Sequence, residues 1–347
     1  MLNPILTRLN LTLRVFLYGP RGIADPRPPI PPLTPEEVAE AQVFFPLPKF
    51  FIFGHARSGT TLLMRLTNLH PDVLCNRQAH FFSRRPTLQA LVADPDVANW
   101  LSRGSFRWNR GRDLSPVVMR AAADFILERD ARQQVARIVG DKSPNSLLNG
   151  EAVRLMHDIY PDARLIFIIR DGRDASLSHR FQSFIDATQH LTKADWKIRA
   201  DFERIPDSFR AQTGSSPSKS LFTEWGIRDA ARGWVANVIE THALGQELYQ
   251  DRYLSLRFED LLDNPTDEML RVWDFLGADI TLPGLTQSVL DAQNVNRDAR
   301  WQETKAGDLA DAIPKGQSGS WQEFFSVRDK QVFEEVAGET LREWGYE

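Results

Sequence analysis

The sequence predicts an α/β protein, with a central parallel sheet flanked by helices in three layers. Three observations predict it. Phe50-Phe51-Ile52-Phe53 is a short apolar run of β-favouring residues that leads straight into a glycine loop and then a helical apolar pattern. Residues 164–169 form a second such run, leading into a cluster of charges and another helix pattern. Strand and helix patterns alternate between them, and β-α-β units with right-handed crossovers make a parallel sheet covered by helices.

The elements follow in chain order. Leu2, Ile5, Leu6, Leu9, Leu13, Phe16 and Leu17 recur at helical spacing. Arg8 and Arg14 interrupt any signal-peptide core, so residues 1–20 are expected as an amphipathic helix. It would dock on the protein body, on a second subunit in a homodimer, or as a peripheral contact on a membrane surface. Five prolines between residues 22 and 33 (Pro26, Pro28, Pro29, Pro31 and Pro32) predict a stiff extended linker. The chain therefore divides into residues 1–33, helix and linker, and a domain over 34–347. Thr34-Pro35-Glu36-Glu37 has the form of a helix start, and Pro46 and Pro48 end that helix before the first core strand.

Residues 54–61 read Gly-His-Ala-Arg-Ser-Gly-Thr-Thr. Gly54 and Gly59 permit a tight turn and close approach to a ligand. The helix that starts at Thr60 offers N–H groups and a dipole to an anion. Ser58, Thr60 and Thr61 add hydroxyls, and Arg57 adds fixed charge. This predicts a P-loop-like cradle. The lysine that follows the second glycine in nucleotide-hydrolysing loops is replaced by Thr60, which argues against ATP or GTP chemistry.

Residues 84–137 read as mostly helical with a break at 104–106, and Val135 to Gly140 as a short strand. Glu151 to Tyr160 is a helix leading to the 164–169 strand. Arg170-Asp171-Gly172-Arg173-Asp174 then falls at that strand's carboxyl end, where open α/β sheets bind ligands. Arg170 and Ser178, eight residues apart, are placed to reach one phosphate. Residues 179–222 look irregular, and 213–220 are loop-like enough for a lid, an acceptor-binding loop or a surface insertion. Trp225 to Leu248 is a long helix with Trp234 and Val238 on one face, read as core. Tyr253 to Phe258 is a strand, Asp267 to Leu276 a helix stopped by Gly277, and the chain from Phe324 an amphipathic helix. Pro314 to Trp321 holds a lysine and two glycines before that helix.

Composition sets bounds. Hydrophobic residues make up 42% and charged residues 25%, as in an ordinary globular protein. A net charge of −4 argues against nucleic-acid binding while leaving room for a local basic cleft. The single cysteine, Cys75, excludes an intrachain disulfide and fits the cytoplasm, and it is expected to pack as a small apolar residue. No metal-spaced His/Cys cluster is seen, so no metal is expected.

Arg57 to Thr61, Arg170 to Ser178, and Lys315-Gly316-Gln317-Ser318-Gly319-Ser320-Trp321, in this order, resemble the sulfotransferases that use 3′-phosphoadenosine 5′-phosphosulfate (PAPS). The arginine form of the loop is similar to that of tyrosylprotein sulfotransferases and bacterial relatives. Leu69-His70-Pro71-Asp72-Val73 and Leu256-Arg257-Phe258-Glu259-Asp260-Leu261 fit the same family. The resemblance covers residues 48–347 and implies sulfuryl transfer to a hydroxyl or amine of a small-molecule, glycan, lipid or peptide acceptor. It implies that Arg57 to Thr61 hold the 5′-phosphosulfate, that Arg170, Ser178, Lys315 and Gly316 hold the 3′-phosphate, and that Phe258 lies near the adenine. Asp141-Lys142-Ser143-Pro144 resembles the family's Glu-Lys-Thr-Pro turn and makes Lys142 a charge stabiliser. Gln78-Ala79-His80-Phe81-Phe82 departs from the family's Glu-x-His-Phe-Phe: an amide takes no proton, which leaves His80 as base or as a group that orients substrate. Two other readings compete. One is a small-molecule kinase or nucleotide hydrolase on the same sheet, and the other is a non-catalytic nucleotide-binding relative, motivated by Gln78.

Overall fold

A computed structural model describes residues 12–13, 29–102, 108–212, 215–293 and 317–346. Of the expected N-terminal helix, Thr12 and Leu13 are helical; the rest, with most of the linker, lies outside the described residues.

Five strands form one parallel sheet: β1 (Lys49–Phe53), β2 (Val73–Arg77), β3 (Ile138–Lys142), β4 (Arg164–Ile169) and β5 (Tyr253–Arg257). Their order is β2-β3-β1-β4-β5, with Phe51 opposite Asp141 on one side and Leu165 on the other. The expected central parallel sheet is therefore present. One boundary moves and one strand is added. The third strand starts at Ile138 rather than Val135, because Val135 takes a φ of 60° that ends any extended run before it. β2 was not foreseen: it is a short edge strand ending in Asn76 and Arg77, with too few apolar residues to register as one.

Side chains alternate across the sheet. Phe51, Phe53, Leu165, Phe167 and Ile169 enter one core cluster, and Phe50, Ile52, Ile166 and Ile168 the other. The first face is covered by helices α4 (Ser115–Gln133), α5 (Glu151–Ile159), α8 (Glu224–Tyr249) and α13 (Val327–Glu343), numbering α1 as Pro35–Phe44, α2 as Thr60–Thr67 and α3 as Pro95–Ser102. The second is covered by α2, by α10 (Pro265–Leu276), which follows the short α9 (Phe258–Asp263), and by α11 (Leu285–Gln293). Trp234 and Val238 are fully buried, as expected of core residues, and so is Cys75. Gly277 stops α10 in the left-handed conformation, φ 80°.

α1 begins as its sequence predicts, with a reciprocal capping box between Thr34 and Glu37. Residues 179–222 are more ordered than expected. The helix after β4, α6 (Gly172–Asp186), extends into this range, and α7 (Lys193–Arg204) follows with its own capping box between Thr192 and Asp195. Arg180 fixes α7 by donating to Asp195 at 2.7 Å and to the Leu221 carbonyl at 2.7 Å. No helix among the described residues is long and apolar enough to cross a membrane.

Candidate active site

The carboxyl ends of β1, β3 and β4 bring the motifs together. After β1 the chain turns at Arg57, φ 71°, and Gly59, φ 90°. A Cβ at residue 59 would overlap the Phe258 ring, so the loop needs glycine both for its backbone angle and for its neighbour. Thr60 and Thr61 open α2, whose first N–H groups face the mouth of the loop. Ser58 is buried, and among the described residues its hydroxyl has no hydrogen-bond partner. A buried hydroxyl left unsatisfied asks for a ligand oxygen.

Arg57 and Ser178, 121 positions apart, are joined by a 3.0 Å bond from Nε to Oγ. Arg170 donates to the Arg57 carbonyl at 3.1 Å and to the Gln317 carbonyl at 2.8 Å, and among the described residues its Nε has no partner. Its guanidinium lies 4.7 Å from the centre of the Phe258 ring. Three of the separated motifs thus meet at one point. Lys315 and Gly316 lie outside the described residues, but Gln317 to Trp321 continue from them. Gly319 and Trp321 donate their backbone N–H groups to Asp174 at 2.6 and 2.9 Å, and Trp321 lies under Arg173 at 3.8 Å. Phe258, expected near the adenine, packs against Gly59 and Arg170 with 4% of its surface exposed.

Lys142 ends β3, is fully buried, and donates to the Thr61 hydroxyl at 3.1 Å. It links the loop to the 78–83 segment. The Gln78 N–H donates to the Lys142 carbonyl at 2.8 Å, Ala79 N–H to Asp141 at 2.9 Å, and His80 N–H to the Ser143 hydroxyl at 2.9 Å. Ser143 in turn donates to Asp141. These bonds hold Gln78 and His80 at φ 58° and 52°, backbone angles that non-glycine residues adopt only when their surroundings impose them. Burial first, then Arg84 and Lys142, lower the pKa of His80, so its ring is neutral near pH 7. Burial raises the pKa of Asp141.

The sequence did not single out Asp174, Trp234, Glu259 or Ser83 as functional. Asp174 accepts from backbone some 145 positions away. Trp234 donates to the Arg170 carbonyl at 3.1 Å, and Glu259 accepts from the Asp171 N–H at 3.1 Å, so both position the 170–174 turn. Only tertiary folding reveals such partners. Ser83, three residues after His80, carried the one local signal, a spacing that lets a turn close.

The arrangement can attract an anion: it combines a helix N-terminus, two arginines and the buried Lys142 with a neutral histidine on the β2–β3 side of the sheet. Among the described residues, no group of three or more His, Cys, Asp or Glu side chains gathers to hold a metal ion.

Residues 48–217 match the model of the sulfotransferase family. A protein-tyrosine sulfotransferase of Drosophila melanogaster is 32% identical over 130 residues, 37% of this chain and 24% of that protein. Protein-tyrosine sulfotransferase 2 of Gallus gallus is 24% identical over 232 residues, 67% of this chain and 51% of that one. The chain thus spans about a quarter to a half of the length of these curated relatives. A solved sulfotransferase from Alicyclobacillus acidocaldarius aligns at 22% identity, covering 76% of this chain and 93% of its own, with a TM-score of 0.40.

Proposed function

We propose that this chain moves a sulfuryl group from PAPS to a hydroxyl or amine of an acceptor, a reading supported by the match of residues 48–217 to the sulfotransferase family model. The observation that carries the proposal is the meeting of Arg57, Arg170 and Ser178 at one point beside the Gly59 loop. Unsatisfied polar atoms on Ser58 and Arg170 fit a doubly phosphorylated nucleotide there.

In this reading the 57–61 loop and α2 hold the 5′-phosphosulfate. Arg170 and Ser178 hold the 3′-phosphate, with Lys315 and Gly316 closing over it. Phe258 backs the loop and stands nearest the adenine of the proposed donor. The acceptor oxygen or nitrogen attacks sulfur, the bond to the 5′-phosphate breaks, and its electron pair leaves on the phosphate oxygen. Arg57, Lys142 and the α2 N–H groups stabilise that charge, each donor contributing about 2.7–4 kcal/mol of barrier lowering where it acts in the transition state. Sulfuryl transfer, like phosphoryl transfer, leaves the protein mainly to position reactants and stabilise charge. His80 takes the acceptor's proton, in place of the carboxylate that Gln78 cannot supply. The single buried cysteine is consistent with work in a reducing cytoplasm.

The test is calorimetry with 3′-phosphoadenosine 5′-phosphate (PAP) against ADP. PAP should bind far more tightly, because charged hydrogen bonds to the 3′-phosphate contribute about 1.5–3 kcal/mol each. Arg170→Ala should weaken PAP roughly 10- to 100-fold and leave ADP nearly unchanged. Equal affinity for the two nucleotides in the parent protein would favour the kinase or hydrolase reading.

A further inference from the structure

Ser83 has a place in the reaction that the motif does not supply. It is fully buried, and its hydroxyl lies 2.9 Å from Nδ1 of His80; among the described residues it has no other hydrogen-bond partner. Its own backbone is held, because the Ser83 carbonyl accepts from both the N–H and the hydroxyl of Ser146 at 3.0 Å. His80 is therefore gripped at two places, its main chain by Ser143 and its ring by Ser83. Both serines are fixed to the loop that follows β3, so the ring has little freedom to turn.

We propose that Ser83 is the positioning residue for His80: by accepting from Nδ1–H it keeps Nε2 bare and aimed at the acceptor. The inference rests on the sulfuryl-transfer reading above and deepens it. A neutral imidazole carries one proton, and the nitrogen that keeps it is chosen by its hydrogen bond. If the proton sits on Nδ1, Nε2 can take the acceptor's proton as the new bond to sulfur forms. The ring then becomes an imidazolium with both nitrogens protonated, and Nδ1–H still donates to Ser83. The bond thus survives the step unchanged in direction, and the ring needs no reorientation between states.

A serine differs here from the carboxylate that orients histidine in many catalytic sites. It fixes direction without adding negative charge, so nothing on Ser83 offsets Arg84 of the same loop and Lys142 of β3. Asp141 of β3 is also close, but it is engaged by Ala79 and Ser143. The ring consequently stays neutral, and ready to act as base, to below the ordinary histidine range.

The experiment has two readouts. The first needs no substrate: NMR of protein labelled with 15N at the histidine ring nitrogens, with His80 assigned by loss of its signals in His80→Gln. The parent should show His80 protonated on Nδ1 at pH 7, and Ser83→Ala should shift it toward the Nε2-protonated form. The second is kinetic, with PAPS and an acceptor found by screening. Ser83→Ala should lower kcat on the order of 10- to 100-fold with the KM for PAPS unchanged, and Ser83→Thr, which keeps the hydroxyl, should recover most of it. A His80 ring protonated on Nε2 in the parent would overturn the proposal, since Ser83 would then be donating and Nε2 would have no room for a proton. An unchanged kcat in Ser83→Ala would overturn it too. If Nδ1 carries the proton but PAP binds no better than ADP, the function fails while the orientation of His80 by Ser83 stands.

Discussion

His55 shows how much one side chain inside the glycine loop can say about solution behaviour. Its Nδ1 lies 3.0 Å from the Ala56 carbonyl, and its backbone bridges to Asn145 after β3. Burial first, and then the neighbouring His179, lower its pKa to about 4. An unfolded histidine titrates near 6.5, so between that pH and about 4 the unfolded chain binds a proton that the folded chain refuses. Stability is therefore fully present above the unfolded value and is lost as pH falls through this window. Replacing His55 with Gln should remove about 2 kcal/mol of the stability difference between pH 7 and pH 5, read as a smaller change in the urea midpoint than in the parent. Equal pH dependence in the two proteins would contradict a neutral His55. At this scale the sequence was informative where a residue type is chemically demanded. The convergence of Arg57, Arg170 and Ser178 was legible because the phosphate cradle expected from the sequence calls for glycine, hydroxyls and cations in close order. Ser83 and Asp174 were not, since a serine or aspartate suits so many surroundings that only its partner defines its work.

Among the elements, the short helix α12 (Trp321–Phe324) and the residues before it depend on a neighbour far away in the chain. Asp174 in α6 accepts the N–H groups of Gly319 and Trp321, Arg173 lies over the Trp321 ring, and the Ala211 N–H donates to the Glu323 carbonyl at 2.7 Å. The 317–324 segment, proposed to cover the donor, is thus tied both to α6 and to the 209–222 excursion. Asp174→Ala should leave the sheet intact yet weaken PAP on the order of 10-fold or more, because two charged hydrogen bonds that hold the segment are lost. Calorimetry checks this, and far-UV circular dichroism confirms the fold; undiminished affinity would show that the segment does not cover the ligand. Helix legibility followed the strength of the local signal. α1, α5, α8 and α10 were read to within a few residues from caps, prolines and apolar spacing. α7 was missed because it is a polar helix with Phe202 as its one buried side chain, so its apolar stripe is too thin to register. α11 and the edge strand β2 are short, and their stability comes from packing on elements distant in sequence.

For the molecule as a whole, the groups proposed to hold the nucleotide come from positions 57 to 321, so ligand binding should resist unfolding of the chain from its first strand to its last helix. PAP at 100 times its dissociation constant adds about 2.7 kcal/mol to the folded state. For a chain of this size that corresponds to a rise of about 4 °C in Tm, measurable by differential scanning fluorimetry. The same concentration of ADP should give a much smaller rise, and equal shifts would speak against recognition of the 3′-phosphate.

The strand order has a further consequence. β1 lies at the centre; β4 and β5 on one flank carry Arg170, Ser178 and Phe258, while β3 and β2 on the other carry Lys142 and His80. Under the proposed function, the nucleotide grip and the chemistry facing the incoming group occupy opposite halves of the same sheet. Mutation can therefore remodel what receives the sulfate while the half that recognises the donor is left alone. Such a layout lets a lineage diversify its products on an unchanged fuel.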